Sequence, residues 1–306
     1  MGYVFKQEQS IAHNIQRILT EQALAARQAL DNPGQDKGDA IHTVRKRIKK
    51  SRALLRLVKS ELKKDIFKQA NTHYRTIGQT LSPLRDATVM IKTLEKLRQL
   101  HPQPIAPAVI ATLHKSLAHQ QDQISQAFFE ESSTIEVIFE ALRVAPLRIS
   151  GLGKHQRSFS IIRPNLEAIY RRGRKALHLA SQEATIHNLH ELRKEVKTLG
   201  YHTRLLEPIW PGLIKSYGYE FGQLGELLGD DHDFGVLALE IESDRLLLRN
   251  QQSKERISQV LHQQRTILQR KIFPLANRLF AQKADAFVGQ YRLYWKIWQK
   301  EAEVIR

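Results

Sequence analysis

Ile41-His42-Thr43-Val44-Arg45-Lys46-Arg47-Ile48-Lys49 returns 148 residues later as Leu189-His190-Glu191-Leu192-Arg193-Lys194-Glu195-Val196-Lys197. Both stretches set apolar residues at helical spacing with cations between them. Arg56 recurs as Arg204 at the same shift. Downstream, Ile77-Gly78 through Leu84-Arg85-Asp86 aligns with Leu224-Gly225 through Asp231-His232-Asp233 at a shift of 147. Upstream, Arg27-Gln28-Ala29-Leu30 aligns with Arg174-Lys175-Ala176-Leu177, again at 147. Three segments in one order at nearly one period argue for internal duplication of a unit of about 150 residues.

The rest of the chain reads the same way. Ile11, Ile15, Ile18 and Leu19 form one helical stripe, and Ile257, Val260, Leu261 and Leu268 another. No run of alternating β-branched residues suggests a strand. Breaks are expected near Asn32-Pro33-Gly34, Leu81-Ser82-Pro83, His101 to Pro107, Pro146 to Lys154, Glu207 to Gly212, and Leu228-Gly229. These divide the chain into roughly ten or eleven helices, an all-α fold. The stretch from Pro146 to Lys154 reads as a linker between a first repeat, residues 1–150, and a second, residues 151–306. Duplicated all-helical units of this size suggest two bundles packed with pseudo-two-fold symmetry.

Composition narrows the partner. The 306 residues carry 48 Lys+Arg against 31 Asp+Glu, a formal charge of +17. Hydrophobic residues make up 42%, enough for a core. Cysteine is absent, which removes disulfides, thiolate metal sites and Cys nucleophiles and fits a reducing compartment. Met1 to Lys6 lacks the apolar stretch of a secretory signal. The longest apolar runs, such as Val236-Leu237-Ala238-Leu239, are too short to span a bilayer. A soluble cytoplasmic protein that does not enter membranes is expected, with a polyanion as partner: nucleic acid, an anionic surface or polyphosphate.

Angular position sorts the charges. With Arg45 at zero and about 100° per residue, Arg52, Arg56, Lys49 and His42 fall at about −20, 20, 40 and 60°. Ile41, Val44, Ile48, Leu55 and Leu62 lie beside them, so an apolar stripe seats a helix from Ile41 to Leu62 and a cationic stripe edges the seat. In the second copy His190, Arg193, Lys197 and Arg204 repeat this arc, and Lys194 repeats Lys46 at its rim. Gly200 stands opposite Arg52. Arg47, Lys50 and Lys59, outside the arc, become Glu195, Thr198 and Glu207. A basic run on one helix is ordinarily a solvated face. Cations retained on one arc in both copies, while those off it drift, point instead to a ligand. An imidazole in the row can donate a hydrogen bond to an oxyanion.

His-x-x-Arg-Lys-x-x-Lys in both halves, with Leu84-Arg85-Asp86-Ala87-Thr88-Val89 in the first and Leu228-Gly229-Asp230-Asp231-His232-Asp233 in the second, resembles the conserved histidine α-helical domain (CHAD) family. The resemblance covers nearly the whole chain. It implies two four-helix bundles around a basic central cavity, together one CHAD domain, and binding of inorganic polyphosphate, with association with polyphosphate granules. By motif match the phosphate-binding residues are His42, Arg45, Lys46, Lys49, Arg52, Arg56, Arg85, His190, Arg193, Lys194, Lys197 and Arg204. Arg27, Arg174 and His232 are further candidates from the repeat. Members often accompany a triphosphate tunnel hydrolase domain, whose Glu-x-Glu-x-Lys motif does not occur here. A stand-alone binding module with no cofactor, catalytic residue or metal is the expectation.

The chemistry suits that ligand. A phosphate chain has no bases to read, so a row of cations about 5–6 Å apart on a helix face suffices. Arg supplies forked donors and Lys a point charge. Nucleic acid is the main rival, as a weak backbone contact. Single-strand binders interleave aromatics with their basic groove, whereas Ile41 to Leu62 has none. Tyr170 and Tyr201 elsewhere could stack on bases or simply pack. The enzyme alternative is a metal-dependent phosphohydrolase built on Asp230-Asp231-His232-Asp233. Its own copy replaces His232 by Arg85, which favours a phosphate-facing position. Asp86 and Asp233 then read as helix N-caps or arginine partners. His187-x-x-His190 has a metal-compatible spacing without an obvious third ligand.

Overall fold

The computed structural model describes residues 2–32, 37–101, 105–130, 133–144, 157–243, 246, 248 and 250–304. Side-chain caps open several helices. Ser10, Thr185 and Asn250 each accept a hydrogen bond from the backbone N–H three residues on, starting α1 (Ile11–Asp31), α8 (Ile186–Leu205) and α10 (Gln251–Leu279). A proline in the first turn, where no N–H is needed, opens α4 (Ser82–Leu100), α7 (Arg163–Gln182) and α9 (Pro211–Glu242). The remaining helices are α2 (Lys37–Leu57), α3 (Lys64–Thr80), α5 (Pro107–Glu130), α6 (Ser133–Val144) and α11 (Ala284–Val304). Among the described residues there is no strand. The fold is all-α, as the sequence predicts.

Neighbours follow one order in each half. In the first, α1 packs on α2, α2 on α3 and α4, α4 on α5, and α1 on α6. In the second, α7 packs on α8, α8 on α9, α9 on α10, and α7 on α11. The halves meet where α2 touches α7 and α8, and where α4 touches α9. Ile15, Ile18 and Leu19 of α1, Val44, Leu54 and Leu55 of α2, and Leu189, Leu192 and Val196 of α8 are fully buried. They belong to one continuous apolar cluster spanning both halves. Each such side chain contributes about 1.5–3 kcal/mol on burial.

Two expectations are corrected. Leu228-Gly229 is no break, because α9 runs straight through it. At the matching place in the first half the helix stops at Thr80 and restarts at Ser82 with Pro83 in its first turn. Asp230 in the second half keeps the backbone N–H that proline lacks, so the helical ladder continues. Second, α2 ends at Leu57 rather than Leu62, and Lys59–Glu61 form a separate 3-10 turn. The start of the chain also reaches the second half. Phe5 N–H donates to the Leu205 carbonyl at 2.9 Å, and the Phe5 ring meets Trp295 edge-on. Gln7 donates to the Trp298 carbonyl. The expected linker from Pro146 to Lys154 lies outside the described residues.

Candidate anion-binding site

The crossing of α2 and α8 turns two sequence stripes into one cluster. His202 Nε2 donates to the Ala53 carbonyl at 2.8 Å, and Arg56 Nη1 donates to Thr198 Oγ1 at 3.3 Å. These contacts pin the helices together. Beyond them the N-terminal part of α2 faces the middle of α8. Lys49 sits at the centre. It keeps contact with solvent, yet burial pushes its ammonium down to about 8, helped by the charges of Arg193, Arg45, Lys197 and Arg85. Lys197 is lowered by burial and then by Arg193, with Lys46 adding to the push and Glu226 opposing it. His42 is lowered by burial, then by Arg85, Lys46 and Lys49.

Two glycines bring the cations onto α9. A Cβ at Gly225 would stand 3.1 Å from Lys197 Cδ and Cε, and one at Gly229 would stand 3.1 Å from Arg193 Nη2. Bare backbone at both places lets these side chains lie across the helix. In the first half Arg45 Nη1 donates to the Gly78 carbonyl and to Ser82 Oγ, both at 2.6 Å. Gly78 and Gly225 are the matched glycines of the repeat. In the sequence they mark only the period.

Two carboxylates stand among the cations. Asp86 is raised by burial, against the pull of Arg45, Lys49 and Arg85. Asp233 is raised by burial and by Asp230 and Asp86, against Arg193 and Arg85. Neither is a helix N-cap: Asp86 lies inside α4, whose cap position is Leu81, and Asp233 lies deep in unbroken α9. The arginine-partner reading of the pair matches their surroundings. With Arg45, Lys49, Arg85, Arg193 and Lys197 around them, the cluster keeps a positive excess.

At the α8–α9 side the His190 and His232 rings lie 4.5 Å apart at 39°. His190 Nδ1, His232 Nδ1 and Arg193 Nε are buried without a hydrogen-bond partner. Burial, then His190, Arg193 and Arg265, hold His232 down at about 4. Burial and then Arg193 lower His190. Both imidazoles are neutral at pH 7.

Residues 15–242 match the family model of the CHAD domain. The chain belongs to the CHAD family. Its fold is similar to that of the crystallised CHAD domain from the plant Ricinus communis, at 15% identity and a TM-score of 0.62, over 92% of this chain and 95% of that one. It is also similar to PptA from Streptomyces chartreusis, at 16% identity and a TM-score of 0.64, over 87% of this chain and 99% of that one. No curated protein matches the chain.

The CHAD fold draws some of the predicted residues away from the cluster. Arg52 Nε donates to Asn71 Oδ1 at 3.2 Å, and burial with Arg56 and Arg75 nearby lowers it to about 10. Arg56 is engaged at the helix crossing, between Glu195 and Arg172. Arg204 faces solvent beside Glu207 at 3.7 Å, and Lys194 pairs with Glu191 at 2.7 Å on the surface. Arg27 lies over the Phe139 ring, and Arg174 is exposed on α7 beside Phe280 and Asn277. The off-arc cations have local engagements of their own. Arg47 donates to Gln22, Lys50 lies 4.7 Å over Tyr3, and Lys59 lies 5.3 Å over Phe67.

The tyrosines considered for base stacking are packing residues. Tyr170 is buried, stacks on Phe287 at 4.1 Å and donates to the Leu279 carbonyl at 2.9 Å. Tyr201 meets Tyr3 edge-on at 6.2 Å. The acidic run in α9 is dispersed around the helix. Asp230 pairs with Lys96 of α4 at 2.5 Å. Asp231 is fully buried and accepts from Arg265 Nη2 at 3.2 Å and Gln269 Nε2 at 2.9 Å. Among the described residues no three His, Asp or Glu side chains are grouped to hold a metal ion. None of the helices, among those residues, is long and apolar enough to cross a membrane.

Proposed function

We propose that this CHAD chain is a binding module for inorganic polyphosphate. The observation that carries this reading is the meeting of Arg45, Lys49, Arg85, Arg193 and Lys197, from three helices in both halves, within reach of one another's charges. Like charges gathered at this density repel unless an anion lies among them. The two halves are read as copies of one unit, each supplying a half-site to the shared face. Polyphosphate fits better than nucleic acid because the basic stretch from Ile41 to Leu62 carries no aromatic residue to stack on a base. A binding role fits better than metal-dependent hydrolysis. His232 faces another imidazole, and Asp233 lies under the influence of Arg193 and Arg85 rather than beside further ligands. Residence in the cytoplasm, in contact with polyphosphate granules, accords with this ligand.

Calorimetry with long-chain polyphosphate, pyrophosphate and single-stranded DNA at one salt concentration tests the proposal. Long-chain polyphosphate is expected to bind tightest. Equal or tighter DNA binding would overturn the reading. Phosphate release that depends on a divalent cation would replace it with the hydrolase.

A further inference from the structure

The mismatch between the halves lies at His232, which stands where the first half has Arg85. Arg85 is a permanent cation. His232 is an imidazole held neutral in the free protein, packed 4.5 Å from a second neutral imidazole, His190. Between them and Arg193 three buried nitrogens have no partner. Buried polar atoms left open in this way normally face water, an ion or a ligand. An Arg193 guanidinium beside them and the cationic face next to them select an anion.

We propose that the cluster of His190, His232 and Arg193 is a phosphoryl-oxygen subsite that takes up a proton together with its anion. The inference rests on the polyphosphate reading and adds a mechanism to the second half-site. One phosphoryl oxygen accepts from Arg193 Nε and from the Nδ1 of an imidazole. Its negative charge offsets the cost of an imidazolium there, so one proton from solvent binds the histidine pair as the anion arrives. No bond is made or broken apart from that protonation.

Burial sets the direction for both rings, and the surrounding charges adjust it. On α8, Arg193, Lys194 and His187 oppose protonation of His190, and Glu191 favours it. On α9, Asp233 and Asp230 lie close by. Arg265 of α10 opposes protonation of His232. From α4, Arg85 and Asp86 reach Asp233, and Lys96 holds Asp230. Without anion, burial and the cations prevail and both rings stay neutral. With anion the balance reverses, so the affinity falls as pH rises between the free and bound pKa values of the pair. Linkage limits the slope to about tenfold per pH unit for one proton. Asp86 and Asp233 contribute the same sign, so the histidine share must be isolated by substitution.

The experiment is calorimetry with long-chain polyphosphate at pH 6, in two buffers of different ionisation enthalpy, which reads protons directly. The wild type is expected to take up a substantial fraction of a proton. His232→Asn should lose most of that uptake and bind several-fold more weakly at pH 6, approaching the wild type at pH 8. His232→Arg, which installs the residue of the first half, should bind at least as tightly as the wild type and lose the same uptake. Circular dichroism verifies that each variant is folded. If His232→Asn does not fold, His190→Asn and His232→Arg carry the comparison. Wild-type binding without proton uptake, or uptake unchanged in the variants, overturns this inference and leaves the polyphosphate reading standing. No wild-type binding at low salt overturns the reading beneath it.

Discussion

Arg45, Lys49, Arg193 and Lys197 act on one another across the two helices, whereas Lys50 has a separate set of cationic neighbours in Arg47, Lys46 and Arg204. Arg47, Lys50 and Lys59 contact Gln22, Tyr3 and Phe67. Removing the first four with alanine should therefore weaken polyphosphate binding by at least tenfold more than removing Arg47, Lys50 and Lys59, measured by calorimetry at fixed salt. Equal losses would mean diffuse binding. Asp233→Asn removes a carboxylate from the cationic face, and affinity should rise several-fold at neutral pH. Arg265 has a different duty. It pairs with fully buried Asp231, and Arg265→Ala leaves that carboxylate with only Gln269. The loss of an ion-pair partner in the interior costs about 3–5 kcal/mol, readable by urea unfolding. The sequence showed Asp231 and His232 as neighbours in one acidic motif. Helical geometry sends one into the core and the other to the site, a separation visible only once α9 is known to be continuous.

At the level of elements, helix contacts decide what is rigid. Gly173 of α7 faces the Phe280 ring, and a Cβ there would lie 2.4 Å from Cε1. Gly173→Ala forces α7 and the end of α10 apart and should destabilise the fold by about 1–3 kcal/mol. The change lies away from the cationic cluster, so binding by the folded protein should survive, checked by unfolding and calorimetry together. The α2–α8 crossing carries a pH signature. The Ala53 carbonyl only accepts, so His202 Nε2 holds the proton, and Nδ1 is buried bare. Burial pushes His202 down to about 4. An unfolded histidine titrates near 6.5, so the unfolded chain binds the extra proton first. The crossing is at full strength above about 6.5 and loses up to about 3 kcal/mol as pH falls toward 4. Denaturant midpoints across that range test it, and His202→Gln should flatten the dependence.

For the whole molecule the net charge matters less than its placement. If five cations contact the chain and release counterions as on a single-stranded polyanion, the log–log salt slope should be roughly −3 to −4. A titration series between low and moderate salt measures it. A slope near zero would remove electrostatics as the driving force. One apolar core takes residues from both halves of the chain and so holds the cation-bearing helices in a fixed relation.

Composition and periodicity determined the all-α class, because 3.6-residue spacing is a local property that any solvent-facing helix must satisfy. The repeat likewise singled out Arg45, Lys49, Arg193 and Lys197, because residues on one arc stay together whatever the helix packs against. Other outcomes needed tertiary structure. Arg52, Arg56 and Arg204 share the arc, yet tertiary packing gives each a partner outside the cluster. They turn to Asn71, Thr198 and Glu207. The His190–His232 pair comes from two helices whose separation is set by packing, and no spacing along the chain encodes that distance.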